Sequence, residues 1–141
     1  MLVSPNRVTV SVRRYGLGPI RRDVAERWLA SGDPRKVMYA ILRLSLHGPD
    51  FAFAERMALK HAAHPDPWVR RNAATAMLHV ARLNGSVDLD AVMTTLVKML
   101  DDPEAFGWAD DALDSIEIFM KTDRRRYMAA RGEPSLQRAA P

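Results

Sequence analysis

An Asp-Pro dipeptide occurs three times in this chain, as Asp33-Pro34, Asp66-Pro67 and Asp102-Pro103. Successive copies lie 33 and 36 residues apart, and each opens a stretch with helical apolar spacing. Asp is a good N-cap because its carboxylate accepts hydrogen bonds from free backbone N–H groups, and Pro at the next position gives up no helical hydrogen bond. A period of this length is typical of stacked helix pairs, so the sequence predicts an all-α repeat structure.

The three copies also share a side-chain register. A small residue stands six positions after each proline, and a large apolar residue stands four positions further on. Such a pattern lets neighbouring helices approach closely while the large side chain fills the space beside them. The residues are Ala40 and Leu44 in the first copy, Ala73 and Met77 in the second, and Ala109 and Leu113 in the third.

Other segments complete the predicted organisation. Pro19 is expected to start a helix that reaches about Ala30, while Asp50 and Asp88 are expected to cap the helices that follow the first two copies. Residues 7–15 alternate apolar and polar side chains, which is the pattern of a strand or an extended segment. The sequence therefore predicts an extended N-terminal segment (1–18), a helical repeat domain (19–122) and a solvated basic C-terminal tail (123–141).

Charge is distributed unevenly, although the chain as a whole carries a net charge of +4. Residues 1–36 hold eight basic and three acidic side chains, and residues 121–141 hold six and two, whereas residues 86–120 hold nine acids and one lysine. A partner inferred from the overall basic balance would be misleading. No cysteine is present, and no apolar run approaches the roughly 20 residues of a membrane span, so a cytoplasmic location is expected.

Residues 66–74, with the sequence DPWVRRNAA, resemble the first-helix signature of HEAT repeats, particularly the short bacterial variety. The likeness covers about residues 33–120, and the third copy lacks an arginine at the position of Arg70. The resemblance implies a short right-handed HEAT-like α-solenoid of about six or seven helices whose surface binds a partner. It also implies that Arg70 bonds to an acid in an adjacent repeat, direct contact with a partner being the alternative.

The stretches 100–104 and 110–116 resemble small bacterial proteins of toxin–immunity pairs, including contact-dependent growth inhibition. That resemblance implies a non-enzymatic immunity protein that neutralises a cognate toxin, a nuclease in the favoured case, by covering its active site. A general HEAT scaffold or adaptor is the second interpretation. A nucleic-acid-binding protein that uses the arginine-rich ends is the third, and it is disfavoured because few aromatic residues accompany those arginines. The favoured interpretation of these ends is solubilising tails that make intramolecular ion pairs with the acidic segment.

The acidic residues around the third copy form the candidate partner-binding site. Asp110, Asp114 and Glu117 fall at i, i+4 and i+7, so their carboxylates share one stripe of a helix. The stripe suits a basic partner; the alternatives are a solvated face that aids solubility and, more remotely, a divalent-metal site. The full set expected to contact the partner is Asp101, Asp102, Glu104, Trp108, Asp110, Asp111, Asp114 and Glu117.

The sequence offers no Gly-rich phosphate loop, no Gly-x-Ser-x-Gly motif and no cysteine nucleophile, so no catalytic residue and no cofactor are predicted. His61 and His64 lie at i, i+3 near Asp66, but two ligands without a third are weak support for a metal site. They are interpreted as structural, and no metal is expected.

Overall fold

The structure is a computed structural model that describes residues 17–131. Within that range the chain forms six α-helices and one 3-10 helix and contains no strand, which confirms the predicted all-α repeat-like fold. The strand-like residues 7–15 lie outside the described range. The elements are α1 (Arg22–Leu29), α2 (Pro34–His47), α3 (Phe51–His61), α4 (Pro67–Asn84), α5 (Leu89–Met99), α6 (Phe106–Met120) and the 3-10 helix (Arg124–Arg131).

The helices that follow the three Asp-Pro dipeptides pack side by side in chain order, with α4 between α2 and α6. The intervening helices pack against this row: α1 on α2, α3 on both α2 and α4, and α5 on α6. From α2 to α5, each helix therefore contacts the element two positions further along the chain, as expected for stacked helix pairs. No described helix is both long enough and apolar enough to cross a bilayer.

The core contains the residues that the repeat register predicts. The alanines at the fixed offset are fully buried, and the large residues four positions later are buried as well. Each large apolar side chain taken out of water stabilises the fold by about 1.5–3 kcal/mol. Further fully buried side chains are Ile41, Val69, Val80, Met93, Leu96 and Ile116.

Three of the predicted N-caps are present. The carboxylates of Asp33, Asp66 and Asp88 each accept a hydrogen bond from a backbone N–H group in the first turn of the following helix. Asp50 also precedes a helix, but its side chain makes no cap bond. Its Oδ2 instead accepts from Arg22, 3.2 Å away, because the guanidinium of α1 reaches the loop before α3.

Two predicted helix starts are wrong. The third repeat helix begins at Phe106 rather than at Pro103, and residues 103–105 form a turn. The carboxylate of Asp102 stabilises this turn by accepting from the Glu104 backbone N–H at 3.0 Å. The first helix begins at Arg22 rather than at Pro19.

The packed domain extends beyond Thr122, where the sequence predicts a solvated tail. The 3-10 helix packs against α5, and Tyr127 and Met128 cover part of the main core. The Tyr127 hydroxyl donates to Asp90 Oδ1 at 3.2 Å. The start of the predicted tail thus occupies the place of a second helix in the third repeat.

Candidate protein-binding surface

Arg70 joins the start of α4 to the loop that precedes α6. Its Nε lies 2.7 Å from Asp102 Oδ2, and its Nη2 lies 3.2 Å from Glu104 Oε1. Its Nη1 donates to the carbonyls of His64 and Pro65. The hydrogen bonds from Arg70 hold the pKa of Asp102 below its usual value. Arg70 therefore forms the contact to an acid of the next repeat that the resemblance implies, and Asp102 and Glu104 are both engaged within the chain.

Two exposed tryptophans lie in the first turns of α4 and α6. The Trp68 and Trp108 rings meet edge to face with centroids 5.9 Å apart, and they remain 55% and 37% exposed. The Arg71 guanidinium lies 4.4 Å from one ring centroid and 4.5 Å from the other. Its Nε also donates to the Glu104 carbonyl. We call Trp68, Arg71 and Trp108 the tryptophan platform, which is held in place by cation–π and aromatic contacts.

Trp108 belongs to the predicted partner-binding set, whereas Trp68 and Arg71 were not predicted from the sequence. Trp68 and Arg71 lie at i, i+3 in the first turns of α4, so they face the same side of that helix. Their spacing was visible, but the contact between α4 and α6 that brings Trp68 to Trp108 was not. A hollow of about 220 Å³ adjoins the platform, lined by Pro34, Arg35, Met38, Asp66 and Trp68.

The acidic stripe of α6, which consists of Asp110, Asp114 and Glu117, binds Arg124. The guanidinium nitrogens lie 2.7 Å from Asp110, 2.6 Å from Asp114 and 3.0 Å from Glu117. The Arg124 backbone N–H also donates to Glu117 Oε2 at 2.7 Å. The stripe is therefore one connected group, as predicted, and a cation from the C-terminal segment neutralises part of its charge.

The ionisation of this group follows from its contacts. Burial alone would raise the pKa of Glu117, but the side-chain and backbone hydrogen bonds from Arg124 outweigh it and leave that pKa lowered. The Glu117 hydrogen bond in turn raises the pKa of Arg124, so both groups stay charged at neutral pH. With three carboxylates and one guanidinium, the group retains a formal charge of −2.

The remaining candidate residues lie at the edges of these groups. Asp111 is exposed one helical turn after Trp108, and Asp101 is exposed beside Asp102. Oxygens of Asp110, Asp111 and Asp114 lie within 4.8 Å of one another. All three side chains are exposed, and two of them already bind Arg124, so the cluster is better suited to basic side chains than to a divalent ion.

The histidines have structural partners. His61 is buried, and its Nδ1 lies 2.7 Å from the Met57 carbonyl oxygen. His64 stacks on it with ring centroids 5.9 Å apart, and the His64 Nδ1 accepts from the Asp66 backbone N–H. These contacts agree with the structural interpretation of the pair.

The arginines of the basic ends are largely paired within the described residues. Arg21 binds Asp23, and Arg22 binds Glu26 and Asp50. In the C-terminal run, Arg124 binds the acidic stripe and Arg125 binds Asp123. Arg13 and Arg14 lie outside the described range. The pairing agrees with the interpretation of these ends as solubilising segments with intramolecular ion pairs.

The chain matches no protein-family model, no curated protein and no solved structure at a significant level.

Proposed function

We propose that this chain is a non-enzymatic protein-binding module that contacts its partner through α6 and the start of α4. The observation that carries this proposal is the tryptophan platform. Tryptophan and arginine dominate the energetics of protein interfaces, and a pair of exposed indoles held in fixed orientation loses little conformational entropy on binding.

The charge around the platform favours a basic partner. Glu104 and Asp111 lie beside the platform, and the acidic stripe continues along α6 with a formal charge of −2 after Arg124 is counted. Complementary charge steers association and selects among partners more than it adds affinity. In this arrangement the tryptophans supply the binding energy and the carboxylates supply the selectivity.

The particular role that fits this chemistry is that of an immunity protein. Its partner is a basic toxin domain, a nuclease in the favoured case, whose phosphate-binding cleft is covered by the acidic side of α6. The resemblance of residues 100–104 and 110–116 to immunity proteins supports this role, and the exposed platform supports the mode of contact.

Growth protection tests the proposed role. Each reading frame that adjoins the gene is expressed in a susceptible bacterium with and without this chain. The proposal expects one product that stops growth alone and is tolerated when the chain is present. It is contradicted if no adjoining product is toxic, or if toxicity persists in the presence of the chain.

A matched pair of variants tests the surface. Trp68→Ala with Trp108→Ala is expected to remove protection, because each anchor residue contributes about 2 kcal/mol or more to binding. Leu83→Ala serves as the control, because Leu83 is an exposed apolar residue at the far end of α4. Equal protection by the two variants would contradict the assignment of the platform.

A further inference from the structure

The C-terminal strap, defined as residues 121–131, covers the acidic stripe that the proposed function directs towards a partner. Arg124 places one guanidinium against three carboxylates, and its own side chain is only 21% exposed. Asp110 and Asp114 remain 51% and 65% exposed on their solvent side. The stripe thus already holds the type of group that a basic partner would present to it.

The hinge of the strap carries conformational cost. Lys121 ends α6 in the left-handed region with φ of 52°, a conformation that favours glycine. The Thr122 hydroxyl is buried and has no hydrogen-bond partner in the described part of the chain. The 3-10 helix has eight residues, whereas runs beyond three or four are uncommon. The burial of the unpaired Thr122 hydroxyl and the long 3-10 run are costs of the docked strap, and both are relieved when the strap leaves α5 and α6.

Contacts with α5 and α6 offset this cost in the docked state. Arg124 supplies the ion pairs, the Tyr127 hydroxyl bonds to Asp90, and the Tyr127 and Met128 side chains pack on the core. Loss of the Arg124 contacts therefore changes the balance between the docked and the released strap.

We propose that the strap is autoinhibitory: Arg124 occupies the position that a basic side chain of the partner takes, and partner binding displaces it. The inference rests on the proposed function, because it assumes that the acidic stripe contacts a basic protein. It adds that the intact chain binds more weakly than its acidic surface allows. Only molecules with a released strap can bind, so the apparent association constant equals the intrinsic one multiplied by the released fraction.

A fluorescent hexa-arginine peptide provides the probe, titrated into the full chain at low ionic strength. Arg124→Gln is expected to bind the peptide about tenfold more tightly than the wild type, as follows if about a tenth of the wild-type molecules have a released strap. Arg125→Gln is the control, because it removes the same charge from the same strap, whereas Arg125 pairs with Asp123 and not with the acidic stripe. It is expected to change affinity no more than about twofold. Equal affinities of the two variants would overturn the proposal.

A variant at the hinge tests the opposite change, in which the docked strap becomes more stable. Thr122→Val removes the unpaired hydroxyl and stabilises the docked strap, so it is expected to weaken peptide binding several-fold. Amide hydrogen exchange in residues 121–131 is expected to accelerate when the wild type binds the peptide. Unchanged or stronger binding by Thr122→Val, or exchange that the peptide does not accelerate, would overturn the proposal even if Arg124→Gln folds poorly.

Failure of the strap proposal can be distinguished from failure of the proposed function. If the acidic stripe binds the peptide but Arg124→Gln and Arg125→Gln behave alike, only the strap proposal fails. If the wild type and Arg124→Gln do not bind the peptide, or if Asp114→Asn does not weaken their binding, the acidic stripe is wrongly assigned. The strap proposal then fails together with the basic-partner part of the proposed function, whereas the tryptophan platform is tested separately by Trp68→Ala with Trp108→Ala.

Discussion

The Arg70 guanidinium binds the carboxylate of Asp102, 32 residues further along the chain, with Nε 2.7 Å from Oδ2. The contact joins α4 to the turn before α6 and places Glu104 beside Arg71. Since Arg71 contacts both tryptophan rings, the ion pair also supports the platform. One structural contact thus connects the repeat architecture to the proposed binding surface.

Replacement of Arg70 is expected to lower stability. Arg70→Gln removes bonds to Asp102, Glu104 and two backbone carbonyls, and the side chains of Arg70 and Asp102 are only 15% and 19% exposed. Hydrogen bonds to charged groups contribute roughly 1.5–3 kcal/mol, and partial exposure reduces this, so a loss of about 1–2 kcal/mol is expected. Urea unfolding at pH 7 measures it. Arg82→Gln on the exposed end of the same helix is the control, and similar losses in both variants would contradict the account.

The same ion pair predicts a pH dependence. The pKa of Asp102 is lowered in the folded chain, so its contribution to stability is complete above the unfolded value of about 3.9 and is lost as pH falls through the folded value. The difference in unfolding free energy between the wild type and Arg70→Gln is therefore expected to be constant from pH 7 to 5 and to shrink below about pH 4. A constant difference down to pH 2.5 would show that Asp102 is not the partner that matters.

Two histidines are expected to cause a second pH dependence of stability, at pH values closer to neutral. Burial lowers the pKa of His61 and of His79, and neighbouring cations act in the same direction. The unfolded chain then binds more protons than the folded chain below about pH 6.5. The free energy of unfolding is therefore highest above that pH and decreases as the pH is lowered. Unfolding free energy is expected to decrease from pH 7.5 to 5.5, and His61→Gln with His79→Gln is expected to flatten this slope. A double variant that retains the full slope would refute the assignment.

Substitution by alanine is expected to change stability in opposite directions at two glycines. Gly85 ends α4 with φ of 72°, and Gly85→Ala is expected to cost about 1–2 kcal/mol because alanine disfavours that region. Gly107 lies inside α6 without a positive φ, and an added Cβ meets open space, so Gly107→Ala is expected to stabilise by about 0.5 kcal/mol. Thermal unfolding of the two variants measures both changes, and shifts of the same sign would be inconsistent with these backbone conformations.

The repeat architecture could be predicted because it is encoded locally. Capping at Asp33 and Asp66 and the burial of the alanines at the repeat offset both depend on residues within a few turns of one another. The start of α6 could not be predicted, because Asp102 forms a turn with Glu104 while it binds Arg70 of an earlier helix. A contact across 32 residues is not visible in local spacing.

The candidate site was predictable in composition but not in its particular contacts. The i, i+4, i+7 spacing identified the acidic stripe, and pairing of the basic ends with the acidic segment was one interpretation, but no local pattern indicated that Arg124 is the residue that binds all three carboxylates. Trp68 was missed as a partner of Trp108 because the two residues meet only when α4 and α6 pack together. Because of this pairing, reversal of Asp110, Asp114 and Glu117 to lysine would expel Arg124 and disturb the strap.

The most direct test of the binding surface therefore uses Trp108→Ala with Asp111→Lys, which leaves the contacts of Arg124 in place. Isothermal titration with the toxin domain identified by growth protection gives the dissociation constant. Glu26→Lys, a charge reversal on the exposed face of α1, is the control. The account predicts at least a thirtyfold weaker complex for the double variant, equivalent to about 2 kcal/mol, and little change for the control. Wild-type affinity in the double variant would contradict the proposal that the chain binds its partner through α6.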